Sequence, residues 1–266
     1  MDLQRVSAVF LRQIFLLRLN GARITNVFLW PALDLLLWGF IATYLDRVGK
    51  AEVSFLTVFL GAAVLWGFLV RVQTGMMTAF FEDMWAHNFF NFFASPLRIW
   101  EYTLGLIATA IMTAFAGLSL VLLMAWVFFG YNLFRLGLFL MPFMGILFVF
   151  GVALGVFTSA MVLRLGPSAE WLAWPIPFIL GPFAGIFYPI SSLPKYVQPI
   201  SWAIAPSYVF EGMRGVIASG TVSQMDLLLG FVIAAAYLLA AALFFVYIFR
   251  LVLRNGLFTR FSAESM

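Results

Sequence analysis

Few side chains in this sequence have the chemistry that catalysis needs. There is no cysteine and a single histidine, His87, so the sequence predicts neither a zinc site nor a histidine-based catalytic triad. The only lysines are Lys50 and Lys195, and no glycine-rich loop with a lysine is present to bind phosphates. Glu82 and Asp83 are adjacent, and neighbouring residues on a helix point about 100° apart, so a shared acid–base site is not expected. We therefore predict a chain that is not an enzyme and that carries no cofactor or metal of its own.

The composition is typical of a protein embedded in a membrane. Apolar residues make up 64% of the 266 residues and charged residues 10%, against roughly 45–50% and 25% in soluble domains. Since a helix needs about 20 apolar residues to cross the hydrocarbon core, we predict an all-α polytopic membrane protein with six transmembrane helices in one domain, residues 1–266. The pI near 9.6 reflects arginine and lysine residues that flank the spans, so nucleic acid is not an expected partner. The predicted spans are residues 24–44, 55–70, 102–129, 136–163, 171–188 and 227–249.

Asp34 is the one acidic residue that falls deep inside a predicted span. A charged carboxylate at the bilayer centre costs at least a few kcal/mol, so Asp34 should be protonated or should face protein or water. Two interpretations stay open. Asp34 is either a polar point on a translocation path or at a subunit seam, or a carboxylate that packs against a neighbouring helix and is hydrogen-bonded to it.

Small residues form a ridge in the fourth predicted span. Gly151, Gly155 and Ser159 follow one another at four-residue intervals, which places them on one face of a helix. Such a ridge lets another helix approach closely.

The first 23 residues predict an amphipathic helix that lies in the membrane interface. At about 100° per residue, its polar side chains fall on one arc and its apolar side chains on the opposite one. The arginines should therefore face the lipid headgroups. The alternative is an ordinary basic flank that orients the first span. The polar arc comprises Arg5, Arg12, Gln13, Asn20 and Arg23.

Residues 71–100 are too polar to span the membrane and too aromatic to lie free in water. Aromatic rings beside polar groups favour the interface, so we predict one or two interfacial helices that end at Ser95 and Pro96. With the N-terminus inside, the basic residues divide ten against five in favour of the cytoplasm, with Arg71 counted as cytoplasmic. The positive-inside rule then places both termini and residues 71–100 in the cytoplasm.

The segment from Phe187 to Arg214 interrupts the apolar pattern. Its prolines fix φ and remove amide donors every five to seven residues, so one continuous helix cannot cross it. The segment is too apolar for a solvated loop, which indicates short re-entrant helices in residues 189–217, on the side opposite residues 71–100. Since broken backbone at membrane depth must pack against protein or line a cavity, we interpret the segment as a gate. The predicted gate residues are Tyr188, Pro189, Leu193, Pro194, Pro199, Pro206, Glu211 and Arg214.

Glu211 and Arg214 are the charged residues of this gate. They are three residues apart, so on a short helix they can pair and orient the re-entrant turn. The alternative is that Arg214 only extends to the lipid headgroups.

The motifs in and before the gate resemble a known family. The gate contains Tyr-Pro-Ile-Ser-Ser-Leu-Pro from Tyr188, Pro-Ile from Pro199, Ala-Pro-Ser-Tyr from Ala205 and Glu-Gly-Met-Arg from Glu211. A weaker match is Glu-Asp-Met from Glu82, Ser-Pro-Leu from Ser95, and then Glu101 and Gly105. With the hydropathy layout, nearly the whole chain is similar to the permease subunit of type-2 ATP-binding-cassette (ABC) exporters. The aromatic run in residues 88–94 departs from the Gly/Thr-containing stretch of many relatives.

The resemblance implies an architecture and a set of partners. It implies an N-terminal interfacial helix, six spans, a cytoplasmic coupling helix between spans 2 and 3, and re-entrant helices between spans 5 and 6. It also implies that two copies of this chain pair with two ATPase subunits in the cytoplasmic (inner) membrane, and that ATP and Mg bind to those subunits. The expected contacts with the ATPase are Glu82, Asp83, Met84, Trp85, His87 and Asn88.

The expected function is ATP-driven export. The resemblance implies a permease that moves an amphipathic, lipid-like or lipid-linked glycan substrate or a drug out of the cytoplasm or the inner leaflet, driven by a separate ATPase subunit. The 32 phenylalanines are compatible with such cargo without identifying it. Two alternatives stay open: an ion-gradient-coupled secondary transporter that uses Asp34, and a scaffold subunit of a membrane complex.

Overall fold

The computed structural model describes residues 2–48, 54–86, 88, 91–92, 95–166 and 169–255. This part of the chain is helical and contains no strand. Five helices in it are long and apolar enough to cross a bilayer: Arg23–Val48, Phe55–Trp85, Ile99–Phe129, Leu133–Leu165 and Gln224–Arg254. An all-helical, multi-pass membrane protein is thus confirmed, whereas a sixth continuous span is not found in the described residues.

The helices are numbered in chain order. They are α1 Leu3–Leu19, α2 Gly21–Val48, α3 Phe55–Trp85, α4 Ile99–Phe129, α5 Leu140–Leu165, α6 Glu170–Ala173, α7 Ile176–Leu180, α8 Gln198–Trp202, α9 Ala205–Ser219 and α10 Gln224–Arg254. Short 3-10 segments occupy Leu133–Phe139, directly before α5, and Ile190–Ser192.

The N-terminal helix is separate from the first long helix, as the sequence predicts. α1 begins after Asp2, whose side chain accepts a hydrogen bond from the Gln4 amide at 3.0 Å. It ends at Asn20, whose backbone leaves the helical region. α1 packs closely on α4 because Gly105 has no side chain: a Cβ there would lie 2.6 Å from Val9 Cβ. The position of α1 in the membrane interface stays a prediction.

α3 forms the centre of the bundle and packs against α2, α4 and α5. The small-residue ridge of α5 faces it. A Cβ at Gly151 would lie 2.9 Å from Val72 Cβ, and one at Gly155 would lie 3.0 Å from Met76 Cβ. The close approach predicted from this ridge is therefore confirmed, and α10 covers another side of α5.

α3 does not end near residue 70, where the sequence placed the end of the second span. It continues to Trp85, so residues 71–85 extend the same helix rather than starting a polar segment. The apolar side chains of this extension, Met76, Phe80 and Phe81 among them, are buried. Its two carboxylates, Glu82 and Asp83, form ion pairs inside the protein, and polarity alone therefore does not end the helix. The segment between α3 and α4 accordingly begins near residue 86.

The predicted fifth span, residues 171–188, consists of short pieces. α6 and α7 are four and five residues long. Pro175 and Pro177 lie at the junction, and their missing amide donors prevent a continuous helix. Only isolated helical hydrogen bonds remain here, such as Gly181 N–H to Pro177 O at 2.9 Å and Ala184 N–H to Leu180 O at 3.0 Å.

Candidate functional site

A buried polar network joins four helices near the end of α3. Glu82 and Asp83 are adjacent and point in different directions, so they reach different helices. Because neighbouring residues on a helix point about 100° apart, these two carboxylates allow α3 to bind α1, α2 and α4 together. We call this set the base cluster: Arg12, Gln13, Arg23, Glu82, Asp83 and Tyr102.

Asp83 binds side chains of α1 and α4. Its Oδ2 accepts hydrogen bonds from Tyr102 Oη at 2.8 Å and from Gln13 Nε2 at 3.3 Å. Its Oδ1 forms an ion pair with Arg12. The guanidinium of Arg12 also lies 5.0 Å from the ring centroid of Phe92, in a cation–π contact. One carboxylate therefore holds α1 against α3 and α4.

Glu82 binds the start of α2. Its Oε2 forms an ion pair with Arg23 Nη1, which also donates a hydrogen bond to Gln13 Oε1 at 3.0 Å. Gln13 in turn donates to the backbone oxygen of Ala79 at 3.3 Å. The two ion pairs are therefore linked through one amide side chain.

The base cluster is stable only as a complete set. Asp83 is 0% exposed and Arg23 is 5% exposed. Burying a charge costs several kcal/mol unless a partner and hydrogen bonds compensate. The two arginines balance the two carboxylates, so the cluster has no net charge. Removal of one partner would leave its counterpart buried and unpaired.

The cluster changes the interpretation of the polar arc of α1. Arg12, Gln13 and Arg23 were expected to face lipid headgroups, but they face protein. The reason is that the carboxylates of α3 offer them ionic and hydrogen-bonding partners at the same level. Arg5 is also bound, to the carbonyl of Pro96, whereas Asn20 is exposed.

The residues predicted to contact an ATPase differ in their exposure. Both carboxylates of the pair are turned into the protein, and Met84 is buried. Trp85 is 51% exposed, and Asn88 is partly exposed. His87 lies outside the described residues. A partner could therefore reach Trp85 directly, but it could act on the carboxylate pair only through neighbouring residues.

A second group of polar contacts, made by Glu101, holds the first residues of the chain to the start of α4. Glu101 accepts hydrogen bonds from the backbone amides of Asp2, at 2.9 Å, and Arg98, at 3.0 Å. Its Oε2 also lies 3.6 Å from Arg5 Nη1. The bond to Arg98 caps α4. The structure thus gives Glu101 a role in holding α1, beyond its place in the motif.

Glu170 of α6 is a neighbour of the exposed Trp85. The indole N–H of Trp174 donates to its Oε1 at 3.4 Å. The indole of Trp85 is also a hydrogen-bonding neighbour of Glu170. α6 therefore lies at the same end of the bundle as the base cluster.

In the gate segment, Glu211 and Arg214 hold the chain that enters the turn. Glu211 Oε1 accepts a hydrogen bond from the Ile190 amide at 2.6 Å and lies 3.0 Å from Arg214 Nη2. Arg214 Nη1 donates to the carbonyl of Ile186 at 3.4 Å. The two side chains therefore pair, and together they fix residues 186–190 against α9.

The other predicted gate residues form local turns around this pair. Pro199 and Pro206 lie in the first turns of α8 and α9, where a missing amide donor costs little. The remaining contacts are Tyr188 Oη to Pro182 O, Ser192 Oγ to Pro189 O at 2.7 Å, Gln198 Nε2 to Leu193 O at 2.9 Å and Val197 N–H to Pro194 O at 2.8 Å.

Asp34 lies apart from both regions. It is on an exposed face of α2, about 16 Å along the helix from Arg23. The indole of Trp38, one turn further, is a hydrogen-bonding neighbour of Asp34. The ring of Trp38 stacks on Phe187 at a centroid distance of 4.1 Å. Asp34 is thus linked through aromatic rings to the residue that precedes the gate.

The predicted site residues therefore occupy three places: the base cluster, the gate and the middle of α2. The roles of Gln13 and Tyr102 were not expected from the sequence, and the arginines of α1 and α2 were expected to face the lipid headgroups. The pattern of charges in the sequence could have indicated this network. Two arginines and two carboxylates in flanks of adjacent antiparallel helices can neutralise each other, and this is favoured over exposure of each to lipid.

Comparison with known proteins gives one family. Residues 8–218 match the family model described as ABC-2 type transporter. The match includes the base cluster, the middle of α2 and the gate. A search of curated proteins gave no match.

Proposed function

Since the chain belongs to the ABC-2 type transporter family, we propose that it is the permease subunit of an ATP-driven exporter. Its cargo is an amphipathic molecule, such as a lipid-like or lipid-linked glycan substrate or a drug, which leaves the cytoplasm or the inner leaflet. Two copies of the chain pair with two ATPase subunits in the cytoplasmic membrane. ATP and Mg bind to those subunits.

The base cluster is the observation that carries this proposal. It lies directly before the segment between α3 and α4, where we expect the coupling helix. Ion pairs and hydrogen bonds join the end of α3 to α1, α2 and α4. A push on this segment would therefore move four helices together as a rigid body rather than bend one of them.

The proposed topology places the base cluster in or near the cytoplasm. Arg71 lies within α3 and no longer counts as a cytoplasmic residue, which leaves nine basic residues against five. The excess still favours a cytoplasmic N-terminus. If the broken segment α6–α7 crosses the membrane as a sixth span, the C-terminus is also cytoplasmic and the gate lies on the opposite side.

The gate is proposed to close the path on that opposite side. The pair of Glu211 and Arg214 anchors the turn, while the prolines divide the segment into short rigid pieces. A rotation of α9 would therefore move residues 186–190 with it.

Reconstitution in vesicles tests the function. The permease is co-purified with its ATPase, and efflux of a fluorescent short-chain lipid is measured with ATP or with an imposed proton gradient. We expect efflux to require ATP and the ATPase, and the mass of the complex to correspond to two copies of each subunit. Efflux by the permease alone on a proton gradient, abolished in Asp34→Asn, would instead identify a secondary transporter.

A matched pair of tryptophan variants tests the site of coupling. Trp85 is 51% exposed at the cytoplasmic end of α3, and Trp126 is 63% exposed at the far end of α4. Trp85→Ala should reduce the stimulation of ATPase activity by the permease, whereas Trp126→Ala should not. Equal stimulation by both variants would contradict coupling at the end of α3.

A further inference from the structure

Arg71 is a buried cation halfway along α3. It lies about 24 Å from the start and about 21 Å from the end of the helix at a rise of 1.5 Å per residue. Its side chain is 9% exposed, and its Nε and Nη2 atoms are buried with no hydrogen-bond partner. A guanidinium at this depth is costly, and such residues mark functional sites in membrane proteins.

The fold reserves space for this side chain. On α4, a Cβ at Gly117 would lie 2.7 Å from Arg71 Cδ and 3.0 Å from the carbonyl oxygen of Val27. The side chain therefore runs through a crevice between α2 and α4 that exists because Gly117 has no side chain. A Cβ at Gly67 would lie 3.3 Å from both Nη1 and Nη2. Because Gly67 is only half-buried, the guanidinium reaches the edge of the helix packing.

Asp34 lies at the level of this cation without pairing with it. Arg23 of α2 pairs with Glu82 of α3, and the two helices run antiparallel. Asp34 lies eleven residues after Arg23, and Arg71 lies eleven residues before Glu82. The two side chains are therefore at one level, and their charges interact. Yet no carboxylate of the described residues lies within 4 Å of the Arg71 guanidinium, whereas the similarly buried Arg23 has a direct ion pair. Arg71 is thus a cation with free hydrogen-bonding capacity.

We propose that Arg71 binds the anionic group of an amphipathic cargo, a phosphate or a carboxylate, halfway across the membrane. This inference rests on the proposed function and names its substrate class. The forked donors of a guanidinium match phosphate and carboxylate oxygens. The apolar surroundings strengthen that contact and accept an apolar tail. Asp34 repels the bound anion and so permits its release.

The surroundings connect this position to the gate. Trp38, at the level of Gly67, stacks on Phe187 at 4.1 Å, and Phe59 stacks on the same ring at 5.3 Å. Phe187 directly precedes the gate residue Tyr188. An aromatic surface along which an apolar tail can move therefore leads from the anion site towards the gate.

Binding of dodecyl phosphate to the purified full-length permease tests the proposal. The permease is held in dodecyl maltoside, a neutral detergent, and binding is followed by tryptophan fluorescence. We expect Arg71→Gln to weaken binding at least tenfold and Arg71→Lys to weaken it less. Arg47→Gln, at the exposed end of α2, is the matched control and should bind as the wild type does. Equal binding by Arg71→Gln and the wild type would overturn the proposal.

A variant that is expected to bind dodecyl phosphate more tightly controls for misfolding. Asp34→Asn removes the repelling charge and should tighten the binding of dodecyl phosphate at least threefold, which damage to the fold would not do. Unchanged or weaker binding by this variant would overturn the proposed arrangement.

Two further probes define the ligand chemistry. Dodecyltrimethylammonium should not compete with dodecyl phosphate, and competition at equal affinity would overturn recognition of an anion. Inorganic phosphate should bind far more weakly, and equal affinity would overturn recognition of an amphiphile. Because these measurements need neither ATP nor the ATPase, they separate the two proposals. Intact binding without ATP-driven efflux would refute only the proposed function, whereas normal efflux by a variant that no longer binds would refute only the site.

Discussion

Neutralising one member of the pair formed by Arg23 and Glu82 should destabilise the protein strongly. Glu82→Gln keeps the size of the side chain but leaves Arg23, which is 5% exposed, without its ion pair. Loss of one partner of a buried pair costs about 3–5 kcal/mol. Gln13 still accepts a hydrogen bond from Arg23, so we expect about 3 kcal/mol, or more than a hundredfold in the folding equilibrium.

The double variant gives the decisive comparison. In Arg23→Gln/Glu82→Gln both charges are absent, and two amides can hydrogen-bond in their place. The double variant should therefore lie within about 1–2 kcal/mol of the wild type, although each single variant loses more. Arg18→Gln is the control, because Arg18 is exposed on α1 and should change stability by less than about 0.5 kcal/mol.

Unfolding in mixed micelles, followed by tryptophan fluorescence, measures these differences. Hydrogen exchange supplies a second readout, because Glu82→Gln should raise the exchange of amides in α1 more than that of amides in α5. If Glu82→Gln unfolds like Arg18→Gln, or if the losses in the double variant simply add, the base cluster does not hold the helices together.

Two further variants test other parts of the structure. Gly117→Ala would place a methyl group 2.7 Å from Arg71 Cδ and 3.0 Å from a backbone oxygen, so we expect a loss of about 1–3 kcal/mol in unfolding free energy. The control Gly21→Ala, with nothing within 4 Å of the added Cβ, should be tolerated. Equal stability of the two variants would contradict the claim that Gly117 makes room for the Arg71 side chain. Arg214→Ala removes the ion-pair partner of the half-buried Glu211, so we expect local stability to fall by about 1 kcal/mol and hydrogen exchange in residues 186–192 to become about fivefold faster. The control Lys195→Ala changes an exposed side chain and should leave this exchange unchanged. Unchanged exchange in Arg214→Ala would argue against an anchored gate.

Hydropathy and local patterns predicted the elements whose causes are local. The break after α1, the long apolar helices and the glycine ridge at Gly151 and Gly155 depend on residues within one or two helical turns. The pairing of Glu211 with Arg214 is likewise a contact across one turn. Each of these features was correctly expected because the residues that determine it are close together in the sequence.

The extension of α3 beyond residue 70 has a non-local cause. Glu82 and Asp83 make the end of this helix polar, and in a hydropathy profile that polarity resembles a surface segment. Their partners Arg12 and Arg23 are about 60 to 70 residues away in the sequence. Only the fold shows that these charges cancel one another, and for the same reason the arginines of α1 and α2 were assigned to the lipid headgroups.

An exposed carboxylate and a broken helical segment, both unfavourable in contact with lipid, lie close together in the single chain. Asp34 is exposed on α2, and the short helix α7, in the broken segment before the gate, carries the exposed side chains of Phe178 and Ile179. The stacking of Trp38 on Phe187 brings these regions next to each other. An uncovered carboxylate and interrupted backbone hydrogen bonding both require protein or water beside them. A second copy of the chain against this face would supply both, as a seam with a polar path along it. We propose this face as the seam between the two permease subunits, and it would then also give cargo its access to Arg71.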